Sequence, residues 1–163
     1  MQVFYNGEEI KPNSYLEKQL AQKEPEIKLG ENQPESTTLI MYDPKAVGGT
    51  YLHWMVQDYS SSEKRRIILP YQGPAPPKGT GVHDYIFSLF HNLTIPSQPM
   101  ERKIKNINEI TSGKEPLAQF TFHSSTPDGG KQTKRRKTCK RKLKRVSIKR
   151  KTTRQRKGCR RHR

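Results

Sequence analysis

The chain has 163 residues, with 32 Lys+Arg against 15 Asp+Glu and a formal net charge of +17. That charge is lopsided: residues 1–127 hold 13 basic and 14 acidic side chains, whereas residues 128–163 hold 19 basic side chains and one acid, Asp128. No stretch approaches the ~20 apolar residues of a membrane span. MQVFYNGEEIKP lacks the apolar run and basic lead of a secretory signal, and both cysteines, Cys139 and Cys159, lie in the basic segment, which excludes a disulfide within residues 1–127.

Gln2-Val3-Phe4-Tyr5 runs into Asn6-Gly7, a strong hairpin dipeptide, with Ile10 and Pro12 following. Residues 14–23 are read as a turn or two of helix on the weak spacing of Tyr15, Leu16 and Leu20. Glu26 to Leu29 is a strand closed by Gly30. Thr37 to Tyr42 is a clearer one, ended by Asp43-Pro44 because the residue before proline avoids helix. Tyr51-Leu52-His53-Trp54-Met55-Val56 is aromatic and apolar on both faces, as in a central strand covered on each side. Residues 57–66 are polar loop and Ile67-Ile68-Leu69 a short strand. Pro70 to Gly81, with four prolines and three glycines, forbids regular structure. Val82 to Phe90 is a further buried strand, residues 106–113 a short helix and Leu117 to Phe122 the last strand. The fold class is mainly β, with the sense of strand pairing open.

Three polar groups stand where polarity is expensive: Asp43 ends one apolar strand, and His53 and His83 interrupt two others. Two histidines and a carboxylate have the composition of a facial metal triad. Imidazoles and nearby backbone N–H groups also suit an anion. The third reading, core polar groups satisfied by the backbone, is favoured on spacing alone. One coincidence stands against it: the Pro/Gly loop closely precedes His83, and a loop with so little freedom makes a fixed rim.

Asp43-Pro44-x-Ala46, the strand Tyr51 to Val56, and Gly73-Pro74-Ala75-Pro76-Pro77-Lys78-Gly79-Thr80-Gly81-Val82-His83-Asp84-Tyr85 together resemble the phosphatidylethanolamine-binding protein family. Its signatures are DPDAP, a W/Y-x-H-W/F-x-V strand and G-x-x-PPxGxGxHRY, here in the same order. The resemblance covers about 120 residues and turns the reading of the histidines toward a ligand pocket. It implies a large antiparallel sheet packed against a smaller one, with short peripheral helices. It also implies an anion pocket lined by Asp43, His53, His83 and Tyr85, with Tyr51 at the wall and Gly73, Pro76 and Pro77 at the rim. Asp43 would orient an imidazole or hold an amine head group. Histidine titration would make anion affinity rise as pH falls. No metal and no cofactor are expected.

The departures carry information. DPDAP has become Asp43-Pro44-Lys45-Ala46-Val47 and HRY has become His83-Asp84-Tyr85. The charges at the second-Asp and Arg positions are reversed, which predicts a swapped ion pair between Lys45 and Asp84 that braces two loops around the pocket. Val47 in place of proline loosens one of those loops. His91 and His123 match no family role and are read as surface or core-edge residues.

Two units are expected: a ligand-binding domain over residues 1–127 and a tail over 128–163, too poor in apolar side chains to order when free. Lys134, Arg135, Arg136, Lys137, Lys140, Arg141, Lys142, Lys144 and Arg145 form basic runs suited to nucleic acid or another polyanion by counterion release, and they also fit a nuclear localisation signal. Cys139 and Cys159 have no second pair for zinc. The location expected is intracellular, cytoplasmic or nuclear, or a virion if the chain is viral, since a minimal domain with such a tail resembles basic packaged proteins of large DNA viruses. No activated Ser or Cys accompanies the histidines, so a non-enzymatic binding module for a small phosphate-bearing ligand is favoured. The alternatives are a nucleic-acid-associated protein with a vestigial pocket, or a protease or kinase inhibitor acting through its surface on a protein partner.

Overall fold

The computed structural model describes residues 1–31, 33–93, 95 and 100–126. The basic segment, with the runs from Lys134 to Arg145 and both cysteines, lies outside the described residues, as does the expectation that it is disordered. Among the described residues no helix is long and apolar enough to cross a membrane.

Among the described residues nine strands form two sheets. The smaller has β1 (Gln2–Tyr5) between β2 (Glu8–Ile10) and β3 (Glu26–Lys28). Asn6 and Gly7 both take positive φ, 53° and 84°, as the tight turn between β1 and β2 requires. The larger sheet contains β4 (Thr37–Asp43), β5 (Thr50–Gln57), β6 (Arg66–Leu69), β7 (Val82–His91), β8 (Lys103–Ile104) and β9 (Ala118–Ser125). Its order is β6-β5-β4-β7-β9, and β8 pairs with the start of β5. Every strand pair is antiparallel, which settles the pairing sense that the sequence left open.

β4 is buried along its whole length because both faces are covered. Leu39 and Met41 point with Trp54, Val56, Phe87, Leu89, Phe120 and Phe122 toward the smaller sheet, whose Val3, Tyr5 and Ile27 complete that core. Ile40 and Tyr42 face the other way, with Leu52, Met55, Phe90 and Ile110. Ile110 comes from α1 (Asn108–Thr111), a single turn where a helix over 106–113 was expected.

Two expectations need correction. Residues 14–23 form no helix: Leu20 and Ala21 close three-residue turns onto Glu17 and Lys18. Upstream, the chain lies along β9, with Asn13 N bonded to Thr121 O, Leu16 N to His123 O and His123 N to Ser14 O. The exposed edge of β9 has recruited this segment, and long-range backbone pairing has overridden a weak local helix pattern. β8 was not foreseen at all, since two residues in a polar stretch carry no readable period.

Candidate functional site

β4 and β5 slip against each other at one point. Met41 pairs with Trp54, but Tyr42 pairs with Leu52, so His53 is the extra residue of a β-bulge. A bulge turns a side chain out of strict alternation. Here it brings His53 alongside Tyr51, at 4.9 Å between ring centroids, and Tyr85, at 5.1 Å, with both pairs edge to face. Asp43, at the end of β4, and His83, near the start of β7, occupy the same face. The result is a cavity of about 360 Å³ at the end of the sandwich, walled by Asp43, Tyr51, His53, His83 and Tyr85 and rimmed by Pro76 and Pro77.

Arg102 ties the bulge to the start of the rim loop. Its guanidinium donates to Leu52 O at 3.0 Å, His53 O at 3.1 Å and Pro70 O at 2.8 Å. Three planar N–H bonds to fixed carbonyls suit arginine and no other side chain. Arg102 precedes β8, which lies opposite Tyr51 and so puts Lys103 on the cavity wall. Gly49, at φ +137°, lies against the Ile104 carbonyl where a Cβ would have no room.

The two histidines have different duties. His83 is 2% exposed. Its Nδ1 is 2.6 Å from Asp43 Oδ2 and its Nε2 is 2.7 Å from Thr80 Oγ1. Thr80 Oγ1 is in turn 2.8 Å from Pro77 O, so the hydroxyl joins the His83 ring to the rim loop. Both His83 nitrogens are therefore occupied, and this residue latches the rim loop to β4 instead of offering a donor to a ligand. Asp43 is equally committed, since its other oxygen accepts the Lys45 backbone N–H at 2.8 Å. An Asp43–His83 pair bonded internally also lacks the converging lone pairs of a facial triad, and among the described residues no group of three His, Cys, Asp or Glu has metal-holding geometry.

His53 keeps one nitrogen in hand. Nδ1–H donates to Gln72 O at 2.8 Å, and Nε2 has no hydrogen-bond partner among the described residues. Burial pushes the His53 pKa below the ordinary histidine value. The Gln72 carbonyl, the Asp43 charge and, least, the Gly73 backbone oppose that shift, and the Arg102 charge adds to it. Burial, reinforced by the Asp43 charge, drives the Tyr85 phenol well above its ordinary range, so it stays a neutral hydroxyl.

The remaining expected residues fall at the edge or behind. Tyr51 OH donates to Gln72 Oε1 at 2.9 Å. Gly73 is not on the cavity wall: it is buried against the 21–22 backbone, where an added Cβ would sit 2.6 Å from Ala21 O. Lys45 Nζ lies 2.8 Å from Asp84 Oδ2, and the other Asp84 oxygen accepts from His123 Nδ1 at 2.8 Å. His123 is thus a partly buried partner of Asp84 rather than a bystander. Burial alone would raise the Asp84 pKa, but the Lys45 and His123 hydrogen bonds outweigh it and hold the carboxyl below its usual value. Lys103, Arg102, Gln72 and Thr80 had no assigned role. Only Thr80, inside the Gly79-Thr80-Gly81 run, had a local signal.

Residues 1–124 match the family model described as Phosphatidylethanolamine-binding protein. A UPF0098 protein of Aquifex aeolicus is 34% identical over 111 residues, covering 53% of this chain and 63% of that protein. A UPF0098 protein of Mycobacterium bovis is 33% identical over 79 residues, covering 39% of each. The chain therefore spans less than two thirds of the length of these relatives. Among solved structures, the phosphatidylethanolamine-binding protein from Plasmodium vivax superposes with a TM-score of 0.58 at 21% identity, covering 77% of this chain and 85% of that one. A carboxypeptidase Y inhibitor, solved in complex with its cognate proteinase, gives 0.60 at 18% identity, covering 77% and 82%.

Proposed function

The chain belongs to the phosphatidylethanolamine-binding protein family, and from that premise we propose that it is a non-enzymatic binding module whose cavity takes a small phosphate-bearing ligand. The observation that carries this reading is the His53 Nε2 atom, without a hydrogen-bond partner among the described residues, on a wall that also includes Tyr85 and Lys103. With Nδ1–H fixed on Gln72 O, neutral His53 turns a lone pair to the cavity and protonated His53 turns a second N–H donor. A bound anion favours the protonated form and raises a pKa that burial has lowered. By linkage, His53 makes anion affinity rise as pH falls. The cavity lining includes no serine or cysteine, so the histidines have no nucleophile to activate.

The test is a titration of the ¹⁵N-histidine-labelled full chain with inorganic phosphate at constant ionic strength. Saturable shifts at the His53 ring, with His91 and His162 still, are the expected result. Movement of His162 in the basic segment without His53 would sink the pocket reading.

A second reading concerns residues 128–163, whose 19 cations against one acid favour a polyanion. With about half of them engaged, log K should fall with log salt at a slope of about −8. Such a segment would tether the domain to nucleic acid or another acidic surface. Full-length protein that ignores both DNA and RNA at low salt would overturn it.

A further inference from the structure

The cavity wall holds one acid, and it is already used. Asp43 Oδ2 is bonded to His83 and Oδ1 to the Lys45 N–H. An ammonium group entering the cavity would find no free carboxylate. The aromatic residues are largely engaged with one another: Tyr51 with His53 and His53 with Tyr85 meet edge to face at 4.9 and 5.1 Å, while Tyr85 stacks on Phe122 at 5.3 Å. A cation held by π faces needs those faces open.

The cationic side is different. Lys103 lines the cavity and makes no ion pair among the described residues. Its position is built, since β8 is registered with Lys103 opposite Tyr51, Arg102 bonds three carbonyls beside it, and its ammonium packs over Gly48, where a Cβ would come within 2.7 Å of Nζ. Lys45, the other cation nearby, is neutralised by Asp84. The cavity is therefore set with the Lys103 ammonium and, beside it, the Arg102 guanidinium, neither of them ion-paired among the described residues, one titratable imidazole, and a single carboxylate whose two oxygens are already bonded within the protein.

We propose that the cavity selects phosphate monoesters whose head carries no ammonium group, and that Lys103 sets this preference. The proposal rests on the phosphate-binding reading above and names its ligand class. A phosphate dianion near Lys103 gains a charge-assisted contact, whereas the ammonium of a phosphoethanolamine head meets a like charge with no carboxylate to offset it. Ala46, Val47, Ala75 and the two rim prolines give an apolar border suited to a short uncharged ester arm.

The experiment titrates the ¹⁵N-histidine-labelled full chain, read at the His53 ring, with glycerol 3-phosphate, O-phosphoethanolamine and inorganic phosphate at one pH and ionic strength. O-phosphoethanolamine should bind about tenfold more weakly than glycerol 3-phosphate, the scale of one charge-assisted contact. Lys103→Met should weaken glycerol 3-phosphate and bring the ratio near one, and Lys103→Arg should retain the preference. Tighter binding of glycerol 3-phosphate than of inorganic phosphate assigns the ligand to an ester such as a lipid head group. The reverse assigns it to free phosphate, and either order upholds the selection against ammonium. Equal affinity for the two esters, or a ratio untouched by Lys103→Met, overturns the proposal and leaves the phosphate pocket standing. Silence of His53 toward all three removes the pocket reading itself.

Discussion

Gly73→Ala tests mechanically how the rim is held. The added methyl would sit 2.6 Å from Ala21 O and 2.9 Å from Gln22 Cα, both backbone atoms that no rotamer change can move aside. Ordinary contact begins near 3.4 Å, so the rim and the 21–22 segment must part by about 0.5–0.8 Å, an overpacking strain of about 1–3 kcal/mol. Two bonds cross this seam, Tyr71 OH to Ala21 O at 2.7 Å and Gln22 Nε2 to Pro74 O at 2.9 Å. Losing one adds about 1 kcal/mol. The variant should lose about 2–4 kcal/mol, which at a mid-range slope of about 2 kcal/mol per molar urea lowers the midpoint by about 1–2 M. Trp54, the single tryptophan, packs edge to face on Tyr71 at 5.7 Å and reports the transition by fluorescence. A midpoint within about 0.2 M of the parent would refute the close packing and with it the account of why glycine stands here.

Arg102→Met should raise the His53 pKa, because a cation that lowers it is gone. It should also destabilise the fold by about 1–3 kcal/mol through orphaned carbonyls; a His53 titration curve that stays put contradicts the arrangement. The His53 curve of the parent should lie below the ordinary histidine value. A histidine whose folded pKa is lowered contributes stability that is complete at neutral pH and falls as pH drops below its unfolded value, so Trp54-detected stability should decline there more in the parent than in His53→Gln. Asp43→Ala strips the partner from a buried, doubly bonded His83 and should cost about 3–5 kcal/mol, with an unchanged urea midpoint as the contrary result. A double-mutant cycle on Lys45 and Asp84 should give a coupling of about 0.3–1 kcal/mol, the scale of a half-exposed pair. That coupling should fade as pH falls through the lowered Asp84 pKa, and a value below ~0.3 kcal/mol removes the bracing role.

The strands were legible wherever burial was one-sided or continuous. The Tyr51 to Val56 run, apolar on both faces, became a central strand, and Asn6-Gly7 became a turn between two strands. The cavity residues were legible as residue types, because Asp43, His53 and His83 interrupt apolar strands. Their division of labour was not, since it depends on which nitrogen meets which oxygen across 40 residues of chain. The bulge at His53 is a register event between two strands, and neither strand records it alone. The Lys45–Asp84 contact came from comparing two charge reversals, whereas the third member, His123, shows no local pattern and joins only because β9 pairs with β7. Lys103 belongs to a two-residue strand and Arg102 immediately precedes it, in a polar stretch where periodicity has nothing to act on.

The segment laid along β9 has a bearing on association between copies. An open sheet edge is a template for a second chain, and β9, at eight residues, would be a long one. Residues 13–16 occupy its backbone groups at Thr121 and His123, and the opposite edge is the four-residue β6, which begins with Arg66. If the basic residues 128–163 gather many copies along one polyanion, the local protein concentration rises by orders of magnitude, the condition in which bare edges zip together. A long edge interrupted at its middle and a short charged one let such crowding occur while each domain keeps its own cavity open to solvent.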